Sequence, residues 1–504
     1  MTSRTEVAGS SPAAAPAAPS EAHLGRRALV GAAWSAAGGA ILRVSNLFVG
    51  IVAARLLEPQ DFGVFAVSLV LYTLIGQIAE LGLHSALLRA SPDEFDTIAP
   101  TALTLALLSY SLLGVGLIAA APLIASAFGT PDAVPAMRVL SICVFLGAPA
   151  SIPNAQLRRD FRMAVQSGIE LVGFLASSAL LVVLALNGHG AMSLAWSRAA
   201  AQVIVVVCLQ LVVSRRYLPG FRRKEARGIL ALGMPLVGAT LVGTLIIGVN
   251  VFFIGRISGA EGVGLYNLGD TISSWPVGLF LPILLNVGLP LFAQIRHDPS
   301  LVQDVLTRCV EMIVGLFWPV SVMLAVLAPH LVELLYGSKW LPAAAIVQVL
   351  ALCKVGEIIY RLCIDVTVAG GYTRRYLVVQ MIWLAVQVPT VWWAARFGAT
   401  GVAWMNLAVM FGLVVPLYLA LVRPMIRDRV HVIFRTSVVP AGGAVVAGLA
   451  AGLVAGLPGT SWAALVAGGL VGVLVYAALT VRWARGAIAR ARGLRDMAGW
   501  QAGA

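Results

Sequence analysis

Charge is what this 504-residue chain has least of: Asp, Glu, Lys and Arg together make up 11% of it. Ordinary soluble domains carry about 25%. With 60% apolar residues and a mean hydropathy of +0.92, a soluble fold is excluded, because no globular core absorbs that much apolar sequence. The chain reads as an all-α integral membrane protein with many spans of about 20 residues each. Cysteine is also scarce. Cys143, Cys208, Cys309, Cys353 and Cys363 all fall inside apolar segments without metal-type spacing, so they read as small buried hydrophobes. GxxxxGK[ST], a nucleophile elbow, a zinc-spaced His or Cys set and a glycine-rich nucleotide motif are all missing. That excludes a built-in ATPase of the P-loop type, and no cofactor or metal is expected. No loop is long enough for an extramembrane domain that would house an active site, so an enzyme is not expected.

What is present is a series of apolar runs at 29–53, 63–83, 100–125, 136–156, 164–186, 191–213, 229–254, 263–288, 309–330, 343–368, 376–395, 400–422, 437–456 and 461–481. They predict about fourteen transmembrane helices. Residues 1–26, rich in Ala, Pro and Ser, read as a disordered tail rather than a cleaved signal peptide. The net charge of +13 is unevenly spread. Arg89, Arg158, Arg159, Arg162, the segment RRYLPGFRRKEAR, Arg296, Arg308, Arg374, Arg375 and Arg423 follow even-numbered runs. The alternate loops hold only Arg55, Arg256, Lys339 and Arg396. This asymmetry places both termini in the cytoplasm. It accounts for the basic charge as topology plus attraction to membrane lipids, and argues against nucleic acid. The Ala, Gly and Arg usage suggests a bacterial source, hence the cytoplasmic membrane.

The first six runs recur in the next six. ARLLEPQDFGVFAV (54–67) matches GRISGAEGVGLYNL (255–268), pairing Arg55 with Arg256 and Gly63 with Gly264. APLIASAFG (121–129) matches APHLVELLYG (328–337), and GAMSLAWSRA (190–199) matches GATGVAWMNL (398–407). Six being even, both copies enter from the same side, which predicts two parallel lobes with a central site between them. The expected division is an N-lobe at 27–213, a basic linker at 214–227, a C-lobe at 228–425, two added helices at 426–482 and a basic tail at 483–504.

These motifs, with AELGLHSALLR (79–89), QLRRDFRM (156–163) and LLYGSKWLPAAAIVQVLAL (334–352), resemble the multidrug/oligosaccharidyl-lipid/polysaccharide exporter superfamily, and within it the Wzx-like polysaccharide flippase branch. The likeness covers roughly residues 27–425 and departs where many relatives carry an Asp before the IGR turn; this chain has Asn250 there. The resemblance implies a flippase that carries polyprenyl-diphosphate-linked oligosaccharide from the inner to the outer leaflet by alternating access. It implies a cationic cavity, a lateral gap for the lipid tail, and a groove for that tail on the last two helices. A polysaccharide polymerase and co-assembly proteins are the partners it suggests. The alternative within the superfamily is a cation-coupled small-molecule exporter.

Intramembrane charge supplies the candidate site residues. A charge at the bilayer centre costs roughly 2.5–3.5 kcal/mol on insertion scales. Arg43 sits mid-span in the first run, beside Ser45 and Asn46, and is a candidate diphosphate contact because guanidinium binds phosphate oxygens as a fork. In LCKVGEIIYRLCIDV (352–366), Lys354, Glu357, Arg361 and Asp365 lie within roughly 80° of one helix face. Glu357–Arg361 and Arg361–Asp365 are both i,i+4 pairs, so the face reads as a self-neutralising ladder pointing into a polar cavity. Arg198 is a further candidate contact. Glu80 (with His84 one turn on), Glu170, Asp270 and Glu311 are candidate pairing or coupling acids.

Overall fold

The computed structural model describes residues 45–160, 162–213, 215–278, 299–423, 430–458 and 460–501. Every regular element among them is helical. The first half holds α1 (Ser45–Leu56), α2 (Pro59–Glu80), α3 (Leu83–Arg89), α4 (Pro92–Ala127), α5 (Ala133–Arg159), α6 (Met163–Leu186) and α7 (Ala191–Val212). The second half holds α8 (Arg223–Ser273), α9 (Pro299–Tyr336), α10 (Pro342–Ala369), α11 (Thr373–Ala394), α12 (Gly398–Val409) and α13 (Val415–Val422), the last two joined by a π-turn at Met410–Val414. α14 (Val430–Ala455) and α15 (Ser461–Gln501) complete the chain.

Eleven stretches of the described residues are long and apolar enough to cross a membrane. The second to fourteenth of the expected runs fall on these eleven with two fusions, and the described part of the first run is the shorter α1; the expected count of fourteen spans is not reached among the described residues. α8 carries two runs, separated where Gly259 takes φ +69°. Arg374–Val422 carries two more, divided by a 3-10 turn at Ala395–Phe397. Part of the first run, and residues 279–288 of the eighth with the ten residues after it, lie outside the described residues.

Several boundaries differ from the hydropathy reading. α8 starts at Arg223, inside the expected linker, α9 starts at Pro299, and α15 continues to Gln501 through most of the expected tail. Hydropathy misses these ends because Arg, Lys, Glu and Ala are strong helix formers whatever their polarity.

α4 packs on α5, and α5 and α6 pack on α7. α9 packs on α10, and α14 and α15 pack on each other and on α9. The last two helices come close because glycine removes side-chain bulk. Gly448 and Gly452 of α14 abut Val322 and Val326 of α9, while Gly472 of α15 abuts Met323. The two halves meet chiefly along α2 and α8. A Cβ on Gly63 would sit 1.7 Å from the carbonyl oxygen of Ala260, and one on Gly264 would sit 1.8 Å from that of Pro59. The two contacts are repeat images of each other, so the internal repeat is built into the interface itself.

Candidate functional site: a polar cavity in the first half

Two ends of the molecule can be told apart by residue type. One carries Arg89, Arg158, Arg159, Arg162 and Arg215; the other carries the turns at Arg55 and Arg256. A cavity of about 870 Å³ extends toward the arginine-rich end and is lined from α1, α2, α3, α4, α5, α6 and α7. Its wall follows helix periodicity. On α6, Gln166, Glu170, Phe174, Ser177, Ser178 and Leu181 recur at three- and four-residue steps, so one face is turned to the cavity. Gln166 donates to Glu170 at 3.1 Å. Ser177 and Ser178 both donate to the Phe174 carbonyl, at 2.9 and 2.7 Å, which lets hydroxyls sit inside an apolar helix.

Arg198 of α7 is the deep cation. Its guanidinium lies 5.9 Å from the centre of the Tyr72 ring, and no carboxylate among the described residues is within salt-bridge distance. Arg158 stands at the arginine-rich mouth with Glu80 and His84. Burial and then the neighbouring Arg158 hold the His84 imidazole below its ordinary pKa, so it is neutral at pH 7. Neither Glu80 nor Glu170 closes a salt bridge with either guanidinium among the described residues.

Of the residues singled out by sequence, Asn46, Glu80, Glu170 and Arg198 come together here, while Arg43 lies outside the described residues. Lys354, Glu357, Arg361, Asp365, Asp270 and Glu311 do not line this cavity. Glu311 is buried within α9. The α10 charges are occupied with one another: Lys354 contacts Asp270 of α8 at 2.8 Å and Glu357 at 3.1 Å, and Arg361 contacts Glu357 at 2.9 Å. The expected Arg361–Asp365 pair is not formed. Both Nε and Nη2 of Arg361 go to one Glu357 oxygen, and the shared carboxylate holds two cations at once, which pulls Arg361 back along the helix. Asp365 has no salt-bridge partner among the described residues.

Sequence reasoning missed a second polar cluster. Gln387 of α11 donates to Asn250 at 3.0 Å and to Asn406 at 2.7 Å, and Asn406 donates to the Tyr266 hydroxyl at 2.7 Å. Asn250 is therefore one link in a neutral amide chain, with its acceptor satisfied. The repeat held the clue: the shared Ala-Trp aligns Asn406 with Arg198.

Long apolar helices in two repeated sets, around a polar cavity, define a multi-pass membrane protein with a transporter-type fold. The lipid II flippase MurJ, solved in an inward closed conformation, superposes with a TM-score of 0.73 over 89% of this chain and 99% of that one, at 15% identity. Residues 52–345 match the family described as polysaccharide biosynthesis protein, and the chain belongs to it, on the Wzx-like branch of the exporter superfamily that its motifs resemble. Two relatives are the succinoglycan biosynthesis transport protein ExoT of Rhizobium meliloti and the lipopolysaccharide biosynthesis protein WzxC of Escherichia coli. The first is 26% identical over 60% of this chain, and the second 24% over 66%. These matches span 61% and 68% of the relatives' own lengths.

Proposed function

We propose that the protein is a flippase for polyprenyl-diphosphate-linked oligosaccharide, the repeat unit of a cell-envelope polysaccharide, working by alternating access in the bacterial cytoplasmic membrane. The observation that carries this reading is the charge state of the intramembrane cations. Lys354 and Arg361 are neutralised by Asp270 and Glu357. Arg198 faces a polar cavity with no carboxylate partner among the described residues. A guanidinium in that setting calls for an anion, and a diphosphate presents oxygens that a planar fork binds two at a time. The hydroxyl and amide face of α6 suits sugar hydroxyls, which offer both donors and acceptors. The basic-residue asymmetry orients the arginine-rich end to the cytoplasm, so the cavity loads from the leaflet where the cargo is made. The transport and biosynthesis roles in the relatives' names support the cargo class. Arg43, in the first apolar run, is proposed as a second diphosphate contact, and the surface of α14 and α15 as the path of the tail.

The test is reconstitution in liposomes with a polyprenyl-diphosphate oligosaccharide, following exposure of the headgroup to an added sugar-modifying enzyme. Protein-dependent exposure, lost in Arg198→Ala, supports the reading. Exposure that survives Arg198→Ala removes the diphosphate role from that residue. Export of organic cations without any lipid flipping replaces the flippase with the small-molecule exporter.

A further inference from the structure

The two halves are joined by contacts of two unlike kinds. On one side, α2 and the turn after it lie against α8, with backbone touching backbone near both ends. At the arginine-rich end a Cβ on Gly82 would fall 2.1 Å from the Cα of Gly233, and one on Gly233 would fall 2.0 Å from the Leu81 carbonyl oxygen. Midway, Thr244 donates to Gln77 at 2.9 Å and Gly248 faces Val70. At the far end are the paired contacts of Gly63 with Ala260 and of Gly264 with Pro59. Leu81, at φ +50°, is the one non-glycine residue in the left-handed region among the described residues, and it sits in this seam.

At the corner where α1 turns into α2, side chains join the halves. Arg55 donates through Nε to the Leu335 carbonyl at 2.8 Å and through Nη2 to that of Leu334, at the C-terminus of α9. Lys339 donates to the Leu57 carbonyl at 2.7 Å and reaches the Arg55 carbonyl and the Glu58 carboxylate. Trp340, wholly buried and edge-on to Phe62, donates to the Ala54 carbonyl at 2.8 Å. The repeat image of this corner is held by close backbone instead: a Cβ on Gly129 would fall 2.7 Å from the Gly255 carbonyl oxygen, and one on Gly255 would fall 2.7 Å from that of Phe128. There Thr130, Pro131 and Asp132 stand where Ser338, Lys339 and Trp340 stand, and Arg256 makes a single 3.4 Å bond to the Ser126 carbonyl.

We propose that the α2–α8 seam is the hinge of outward opening and that Arg55, Lys339 and Trp340 form its latch. Hydrogen bonds from side chains exchange for water one at a time, so the latch parts stepwise. Glycine contacts under 3 Å part only when whole backbones separate, which the close packing resists. The opening motion that breaks least is therefore a swing about α2–α8 with the Arg55 corner coming free.

The test reads cavity exposure and needs no cargo, so it stands or falls apart from the identity of the transported lipid. Ser178, on the cavity wall, is replaced by Cys in a variant whose Cys143 is Ser, and a membrane-impermeant maleimide is applied to the outward face of oriented vesicles. Arg55→Ala with Lys339→Ala raises the labelling rate at least about tenfold, the shift expected for one or two lost hydrogen bonds. Lys339→Met alone gives a smaller rise and serves if the double variant elutes as aggregate. In the unlatched protein, a Val70→Cys/Gly248→Cys disulfide across the seam leaves the fast labelling in place. In a protein that keeps Arg55 and Trp340, Glu58→Cys and Lys339→Cys joined by a short thiol-reactive cross-linker suppress labelling. Labelling unchanged by loss of the latch, or stopped by the seam disulfide, overturns the proposal.

Discussion

Arg198 and Asn406 hold the same place in the two repeats and face opposite fates. Arg198 lines an open cavity against Tyr72, whereas Asn406 is tied between Gln387 and Tyr266 in a buried amide chain. The duplicated scaffold has thus been specialised: one half keeps an unspent cation, and the other fills the corresponding position with neutral hydrogen bonds.

Arg198→Ala lowers flipping of a diphosphate-linked substrate by about 10- to 100-fold, the value of a charge-assisted hydrogen-bond set. Arg198→Lys restores part of it, since lysine returns the charge without the fork. Initial rates of headgroup exposure in proteoliposomes, at matched protein density, check both.

Glu357→Gln destabilises the fold more than Asp365→Asn does. The first removes the carboxylate that Lys354 and Arg361 share, and breaking a buried pair costs roughly 3–5 kcal/mol. The second removes a charge with no salt-bridge partner among the described residues. Thermal unfolding in detergent, followed by aggregation or intrinsic fluorescence, orders the two. Equal melting temperatures would sink the ladder as a structural element.

Gln387→Leu strands the side-chain oxygens of Asn250 and Asn406 together, at roughly 1–3 kcal/mol for each buried group left unsatisfied. It is therefore more damaging than Asn250→Leu, which leaves one of the two N–H donors of the Gln387 amide unpaired. The comparison is again one of melting temperatures.

At the arginine-rich end, Tyr217 donates to Asp96, which also holds Arg215 at 2.6 Å. Burial, and then that hydrogen bond, raise the Tyr217 phenol pKa above its ordinary value. The contribution of this contact is complete below about pH 10 and is lost as pH rises through the raised value. Limited proteolysis across 215–222 quickens in that alkaline window for the wild-type chain. Tyr217→Phe, lacking the hydroxyl, shows the faster cleavage at every pH and no alkaline step.

The membrane class, the repeat and the polar character of the inner helices were legible because they rest on composition and periodicity, which are local. The cavity wall was legible only in part. Glu80, Glu170 and Arg198 announce themselves as charges in apolar runs, but Ser177, Ser178, Gln202 and Asn154 are ordinary helix residues until the helices are packed. The α10 ladder shows the limit most clearly. Glu357 and Asp365 are each four residues from Arg361, so spacing gives no preference. The choice follows from Lys354 drawing Glu357 into place while Asp270, from another helix, steadies Lys354. The latch corner was invisible for the same reason: Arg55 and Lys339 are far apart in sequence, and what Arg55 binds is backbone.

The reciprocal contacts of Gly63 with Ala260 and of Gly264 with Pro59 have the form of an isologous interface, in which one patch meets its own copy across a two-fold axis. Two identical half-length chains would need only one such glycine, since their pairing would supply both contacts at once. A single chain is released from the requirement that its halves match. The Lys339–Trp340 turn on one side, and Arg198 in one cavity only, are what that release from symmetry made available.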